Sequence, residues 1–546
     1  MVVRPKAQSL KPKAFLLALL ALAWPCHAAS VYSNGTGGGL WSEPATWRGG
    51  NVPAAADDVV IAARDTVMFN LASKPDADAS PTCTSLELDP LGVLTFQCGE
   101  SDRRLIVAGA VVNYGIIKID ATRSGGVNEL RLVSQDQDHK NRSIIVNKNA
   151  ELLLYGAKDG PADRRNVLIA TGGPDAEGKS LPAFINAGGA SLDIQHVQLD
   201  GISVRAENID NTGYKAHERL NVIGCRFKNA ATLAFSGCDT AVIKGNAFLY
   251  DGKDRLDLTA ITVNSCQLTQ ITNNIVNARY TRGAQLWHDT DVSLTGLAIT
   301  GCHYGLAWHG SNGMIKRVTV TDCGEGIYMQ GSGVLEDATV ANLNALGDRA
   351  GWQQATGFKL ENCTPQLSAC RVVEPGEKAV PMTLHRASVT MMNCNFPPDG
   401  VKPSKEPLPE KPWMETLHYL VVGVKGAQRP DTQVTVRTAG LPEGQPDPNV
   451  RNSPAMLLPV NAGPALRMTP LPRSQQPILV RSWAIANDGA VQPAPAYTIT
   501  VWDPPASKDD KPAVRATMTV TPDGTWFREP AIRLEVEKPT VEVILP

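Results

Sequence analysis

Two Trp-His steps stand out as the places where this chain could do chemistry. Trp287-His288 recurs as Trp308-His309, and Met329-Gln330 follows at the same interval. If the spacing is structural, the three pairs stack in neighbouring layers. Side chains alternate along a strand, so with Trp287, Trp308 and Met329 packed inside, His288, His309 and Gln330 form one outward file. Arg282, Asp289 and Tyr328 flank that file. Like charges disfavour each other, so two stacked imidazoles resist double protonation. One of them would then stay neutral and serve as a general base, with Asp289 orienting it. His288, His309 and Asp289 are therefore the catalytic candidates, and Arg282, Tyr328 and Gln330 the substrate-binding ones.

Two further groups hold carboxylates. Asp322, Glu325, Glu336 and Asp337 are close in sequence, and glycoside hydrolysis generally uses two carboxylates at a fixed separation; the spacing alone does not show which could face each other. The loop from Asp251 to Asp257 carries three aspartates, which makes Ca2+ a candidate ligand. It lacks carboxylates at every second position, and Lys253 and Arg255 interrupt it, which favours a solvated loop. The metal question stays open at this level.

A repeat would position such files. From NVIGCRF, residues 221–227, a step of 21 carries Val222 to Ile243, Gly224 to Gly245, Cys225 to Asn246 and Phe227 to Phe248. Steps of 28 then carry Asn246 to Asn274 and Asn274 to Cys302, implying a seven-residue loop in each of two coils. The shorter step returns with Leu297 on Val318, Ile299 on Val320, Cys302 on Cys323 and Gly305 on Gly326. Three short strands and three bends make one such turn, and successive turns pair about 4.8 Å apart. The expected class is all-β: a right-handed parallel β-helix over 156–396, preceded by a β domain over 29–155. A Pro-rich linker at 397–412 and a β-sandwich of immunoglobulin-like type at 413–546 would follow. The two seven-residue loops would wall one side of the histidine file.

The amino-terminal region has its own markers. Trp41 and Trp47 bracket a turn, Gly49-Gly50 permit a reversal, and Val52-Pro53 leads into short glycine-punctuated strands. The two tryptophans are expected to cap the first coils as core residues, since aromatic rings that bury so much area usually pack. Before them, Arg4, Lys6, Lys11 and Lys13 precede an eleven-residue apolar run from Ala14 to Trp24 and then small residues. A helix needs about 20 apolar residues to span a bilayer, so residues 1–28 read as a secretory signal removed after Ala28. The mature chain is then expected to carry no transmembrane segment and to be secreted, periplasmic or at the cell surface. In an oxidising compartment some disulfides are plausible, and Cys83 with Cys98 is the favoured pair. A net charge of −2 and the lack of a basic stripe argue against nucleic acid.

The Trp41/Trp47 pair, Gly50, Val52-Pro53, Asp58 and Ile61 resemble the eight-glycine (G-eight) extracellular domain over about residues 31–155. The central repeat resembles the pectate-lyase-like right-handed helices, a fold shared by polysaccharide lyases, hydrolases, esterases, phage tailspikes and adhesins. Together the two resemblances imply an exported protein that binds or depolymerises a polysaccharide through the outer face of the helix, as lyase or hydrolase. The combined Asn-Thr-Asp, Asp-Asp and Gly-His-Gly segments of polygalacturonase-type sites are missing. The rival reading is a non-catalytic surface or matrix protein in which the helix is a rigid rod.

Overall fold

The computed structural model describes residues 29–521 together with 532–536 and 541–542. It leaves out 74–81, 134–142, 159–164, 172–182, 208–219, 251, 253–255, 278, 288–290, 311–312, 344–354, 377, 395, 397, 404–412, 426–428, 430, 457, 460–465, 469–477 and 508. The signal segment 1–28 therefore lies outside the described residues, as do Pro522-Asp523-Gly524 and most of the loop at 251–255.

The core of the molecule is a right-handed parallel β-helix with three faces. The first face is a 15-stranded parallel sheet running from Ser30–Tyr32 to Val401–Pro403. The second and third faces run beside it, for example Leu192–Gln195 to Leu220–Ile223 to Thr240–Lys244, and Asn128–Leu132 to Val167–Thr171 to Gln198–Asp200. In the middle coils these two faces merge in long bent strands, Leu268–Asn277, Asp291–Thr300 and Gly313–Thr321. A left-handed residue makes the bend in coil after coil: Gly224 (φ 63°), Gly245 (64°), Asn273 (51°) and Gly296 (74°). Gly and Asn are the residues that adopt this conformation at least cost.

The interior is filled by stacked apolar files. Val222 lies on Ile243, Leu297 on Val318 and Ile299 on Val320, all buried, as the repeat predicts. Phe227 and Phe248 stack with centroids 4.3 Å apart. Polar interior positions are tied along the axis: Asn246 Oδ1 accepts Cys225 N–H, while Asn274 Oδ1 accepts both the backbone N–H and the amide of Asn246. Each such bond removes the cost of an unsatisfied buried donor.

Three expectations change. The step after Asn274 is shorter than the expected 28, so Asn274 lies on Leu297 rather than Cys302; only one of the two coils carries a seven-residue loop. Cys83 and Cys98 form no disulfide, and neither do the other eight cysteines from Cys225 to Cys394. The turn between Cys83 and Cys98 carries the chain from the first face to the second, so they do not meet. The amino-terminal β region is continuous with the helix across 155/156. Glu151–Tyr155 pairs with Ser191–Gln195, and Ser143–Val146 with Phe184–Ala187. Trp41 and Trp47, both buried with rings 5.0 Å apart, close this end over Phe69.

The carboxy-terminal boundary is likewise a shared element. Within the expected linker, Val401–Pro403 pairs with Met382–Leu384 as a last rung. Met414–Lys425 then pairs in parallel with Val389–Met392 of the helix and antiparallel with Leu479–Ile485. That second pairing begins a sandwich, whose opposing sheet holds Gln433–Thr438, Tyr497–Asp503 and Ala513–Val520. Leu420, Val422, Val434, Val436, Val480, Ile499 and Val501 form its core.

Candidate functional site

The outer side of the first face concentrates aromatic and ionisable side chains between Tyr280–Trp287 and Val380–His385. Parallel pairing sets three files there. One runs Asn264, Trp287, His309, Gln330, and the strand end Glu361 pairs onward with His385. The next holds Gln285, Ala307, Tyr328 and Lys359. The third holds Arg282, Tyr304, Glu325 and Thr356.

Contacts knit these files into one surface. The Trp287 and His309 rings lie flat on each other, 3.9 Å apart and 6° from parallel, and the Tyr328 ring is 4.8 Å from His309. His309 Nδ1 faces Gln330 Oε1 at 3.4 Å; an N–H at Nδ1 leaves the lone pair on Nε2. Tyr328 donates its hydroxyl to Glu361 Oε2 at 3.0 Å and approaches Gln330 Oε1 at 3.3 Å. Lys359 Nζ stands 3.7 Å from Glu325 and 3.4 Å from Glu361, and 5.2 Å from the Tyr328 ring centroid. The Arg282 guanidinium lies 5.1 Å from the Tyr304 ring centroid.

The electrostatics follow from burial. Glu325 is only 7% exposed, and that burial pushes its carboxyl above the usual range, against the pull of Lys359 and Arg282. Burial acts to lower the Lys359 ammonium, yet Glu325 and Glu361 together hold it above its ordinary value. Tyr328 is raised by burial first and then by its bond to Glu361. The surface thus holds a carboxyl inclined to keep its proton, a second carboxylate in a hydrogen bond, and one ammonium close to both.

Of the residues predicted from sequence, Arg282, His309, Tyr328 and Gln330 come together here. His288 and Asp289 lie outside the described residues. The register expected at Trp287 is corrected by one position. The coil between the two Trp-His steps holds one more residue than the assumed step, so Trp287 faces outward onto His309, and Leu286 stacks on the buried Trp308. Trp287, placed inside by the sequence reading, is therefore a member of the outer file. Glu325 joins the site, whereas Glu336 lies on another face, paired with Lys316 at 2.7 Å. Among the described residues no cluster of three His, Cys, Asp or Glu side chains is disposed to hold a metal ion.

Lys359, Glu361 and Tyr304 were missed, although a signal for them exists. Each rung begins with a residue followed by glycine: Arg282-Gly283, Tyr304-Gly305, Glu325-Gly326, Thr356-Gly357. A Cβ on those glycines would meet Ile299, Val320, Val340 or Val372 within 2.5 to 2.8 Å. Only glycine fits, and aligning the glycines yields the register whatever the loop lengths.

Residues 201–364 match the family model described as right handed beta helix region, the stretch that carries most of this surface. No curated protein and no solved structure matches the chain. No helix among the described residues is long and apolar enough to cross a membrane.

Proposed function

We propose that the protein acts outside the cytoplasm on a polysaccharide, binding or depolymerising it along the outer side of the first face. The observation that carries this reading is the single surface of Trp287, Tyr304, His309 and Tyr328 with Arg282, Gln330, Lys359 and Glu361. Aromatic rings offer apolar area to the C–H faces of a sugar, and the amide and charged groups between them match its hydroxyls. A flat parallel sheet repeats these groups at the rung spacing, which suits an extended chain.

Both catalytic classes have candidate groups. Glu325 and Glu361 approach the same ammonium, at 3.7 and 3.4 Å, which gathers on one surface the two carboxyl groups that glycoside hydrolysis generally uses. Glu325, with its raised affinity for a proton, is the general acid of such a pair. His309 Nε2 and Tyr328 supply the base and acid that an elimination would need. Against turnover stands the mutual pairing of Tyr328, Glu361, Lys359 and Glu325, which favours the adhesive alternative.

The purified chain should be titrated with a panel of neutral and acidic polysaccharides. Binding would be read by calorimetry, hydrolysis by new reducing ends and elimination by ultraviolet absorbance of unsaturated products. Binding with either product signal supports catalysis; binding alone supports the adhesive reading. A panel that produces neither binding nor products overturns the proposal.

A further inference from the structure

A second place, on the third face near the amino-terminal end, concentrates positive charge. A cavity of about 200 Å³ opens over Arg103–Val107, Asn128–Leu132, Val167–Thr171 and Gln198–Asp200. Its lining holds four guanidinium groups, Arg103, Arg104, Arg131 and Arg165, against two carboxylates, Asp102 and Glu129. The remaining file positions here, Leu168 and Gln198, are uncharged.

Among the described residues of this lining, guanidinium groups outnumber carboxylates. Glu129, 2% exposed, lies opposite Arg104 in the register and accepts the Nε–H groups of Arg104 (2.6 Å) and Arg131 (2.5 Å). One carboxylate thus serves two guanidiniums through their Nε edges, leaving their Nη groups outside those bonds. Asp102 Oδ1 accepts the backbone N–H of Val127. Arg165 is fixed by Nη1 on the carbonyls of Ala157 and Lys158 and by Nη2 on that of Gly224. Neutral carbonyls orient a guanidinium without cancelling its charge. The Nε–H groups of Arg103 and Arg165 are buried and meet no acceptor among the described residues. Arg226 follows Gln198 in the same file, and burial first, then Arg226, lowers the proton affinity of Arg165.

We propose that this cavity is an oxyanion site that takes a sulfate group or the carboxylate of an acidic sugar. Guanidinium forks bind such groups through paired N–H donors, and the excess of cations over carboxylates supplies the attraction. The site stands apart from the aromatic surface, and nothing in its chemistry requires that surface to bind glycan.

The test is calorimetric titration of the full chain at constant ionic strength with sodium sulfate, a galacturonate trimer and a neutral galactose trimer. Sulfate or galacturonate should bind and the neutral trimer should not. Arg103→Gln should weaken that binding roughly 10- to 100-fold, the loss of a charge-assisted hydrogen bond. Arg165→Gln should do the same, and near-ultraviolet circular dichroism reports whether each variant keeps its fold. If Arg165→Gln unfolds, Arg103→Gln decides alone, since it leaves the Glu129 pairings and the Arg165 carbonyl contacts in place. Sulfate binding without galacturonate, or the reverse, identifies which oxyanion source the cavity takes. Failure of both anions to bind, equal binding of the neutral trimer, or unchanged affinity in a folded Arg103→Gln chain overturns the proposal.

Discussion

Glu325 is the buried carboxyl of the candidate site, only 7% exposed. Burial raises its carboxyl's proton affinity, so the folded protein binds a proton there more readily than the unfolded chain. Stability contributed by this group is then greatest at low pH and is lost as pH rises through the raised value. Glu325→Gln removes that dependence while keeping the shape. Thermal midpoints of variant and parent, measured from pH 4 to pH 7.5, should show the variant gaining on the parent as pH rises. A constant difference would mean that Lys359 compensates Glu325 fully. If Glu325 is also the acid of a hydrolase, activity should fall over the same rise in pH.

At the scale of strands, the rung-initial glycines tie the site to the core. A Cβ at Gly326 would sit 2.4 Å from the Gly357 carbonyl and 2.6 Å from Val340. Gly326→Ala should therefore destabilise the chain by about 1–3 kcal/mol, the usual cost of overpacking. Because Gly326 follows Glu325 directly, it should also weaken whatever binds the surface. Denaturant unfolding gives the first number, and an unchanged midpoint would contradict the packing. The repeat was legible wherever the shortest step holds, since Val222 on Ile243 and Leu297 on Val318 need only counting. It failed where a coil is slightly longer, because one added residue moves every later side chain to the opposite side of the strand. That single slip moved Trp287 from the interior to the outer file. The coil that carries Ile327 to Phe358 is longer still, which hid Lys359 and Glu361 from any fixed step.

Across the whole molecule, the parts are joined by shared strands rather than by linkers. Nothing in the local sequence showed that Met414–Lys425 serves both the helix and the sandwich, because pairing partners leave no local mark. His418 sits in that strand, 1% exposed, and burial drives its imidazole down to about 4 from an ordinary 6.5. The unfolded chain binds the proton in this window and the folded one does not. The associated stability is complete above pH 6.5 and is lost as pH falls toward 4, by about 3 kcal/mol. His418→Leu should flatten that acid limb, as read from unfolding midpoints at pH 4, 5 and 7. Since the strand is common to both parts, the transition should report them together.

The claim that the outer side of the first face meets the glycan is tested most directly by a crystal structure of the chain bound to the polysaccharide fragment it holds most tightly. Sugar rings should lie along the strands from Tyr280–Trp287 to Val380–His385, touching Trp287 or Tyr328 and hydrogen-bonded to Gln330, Lys359 or Glu361. A fragment seated on the sandwich, or on the second or third face with this surface bare, would contradict it.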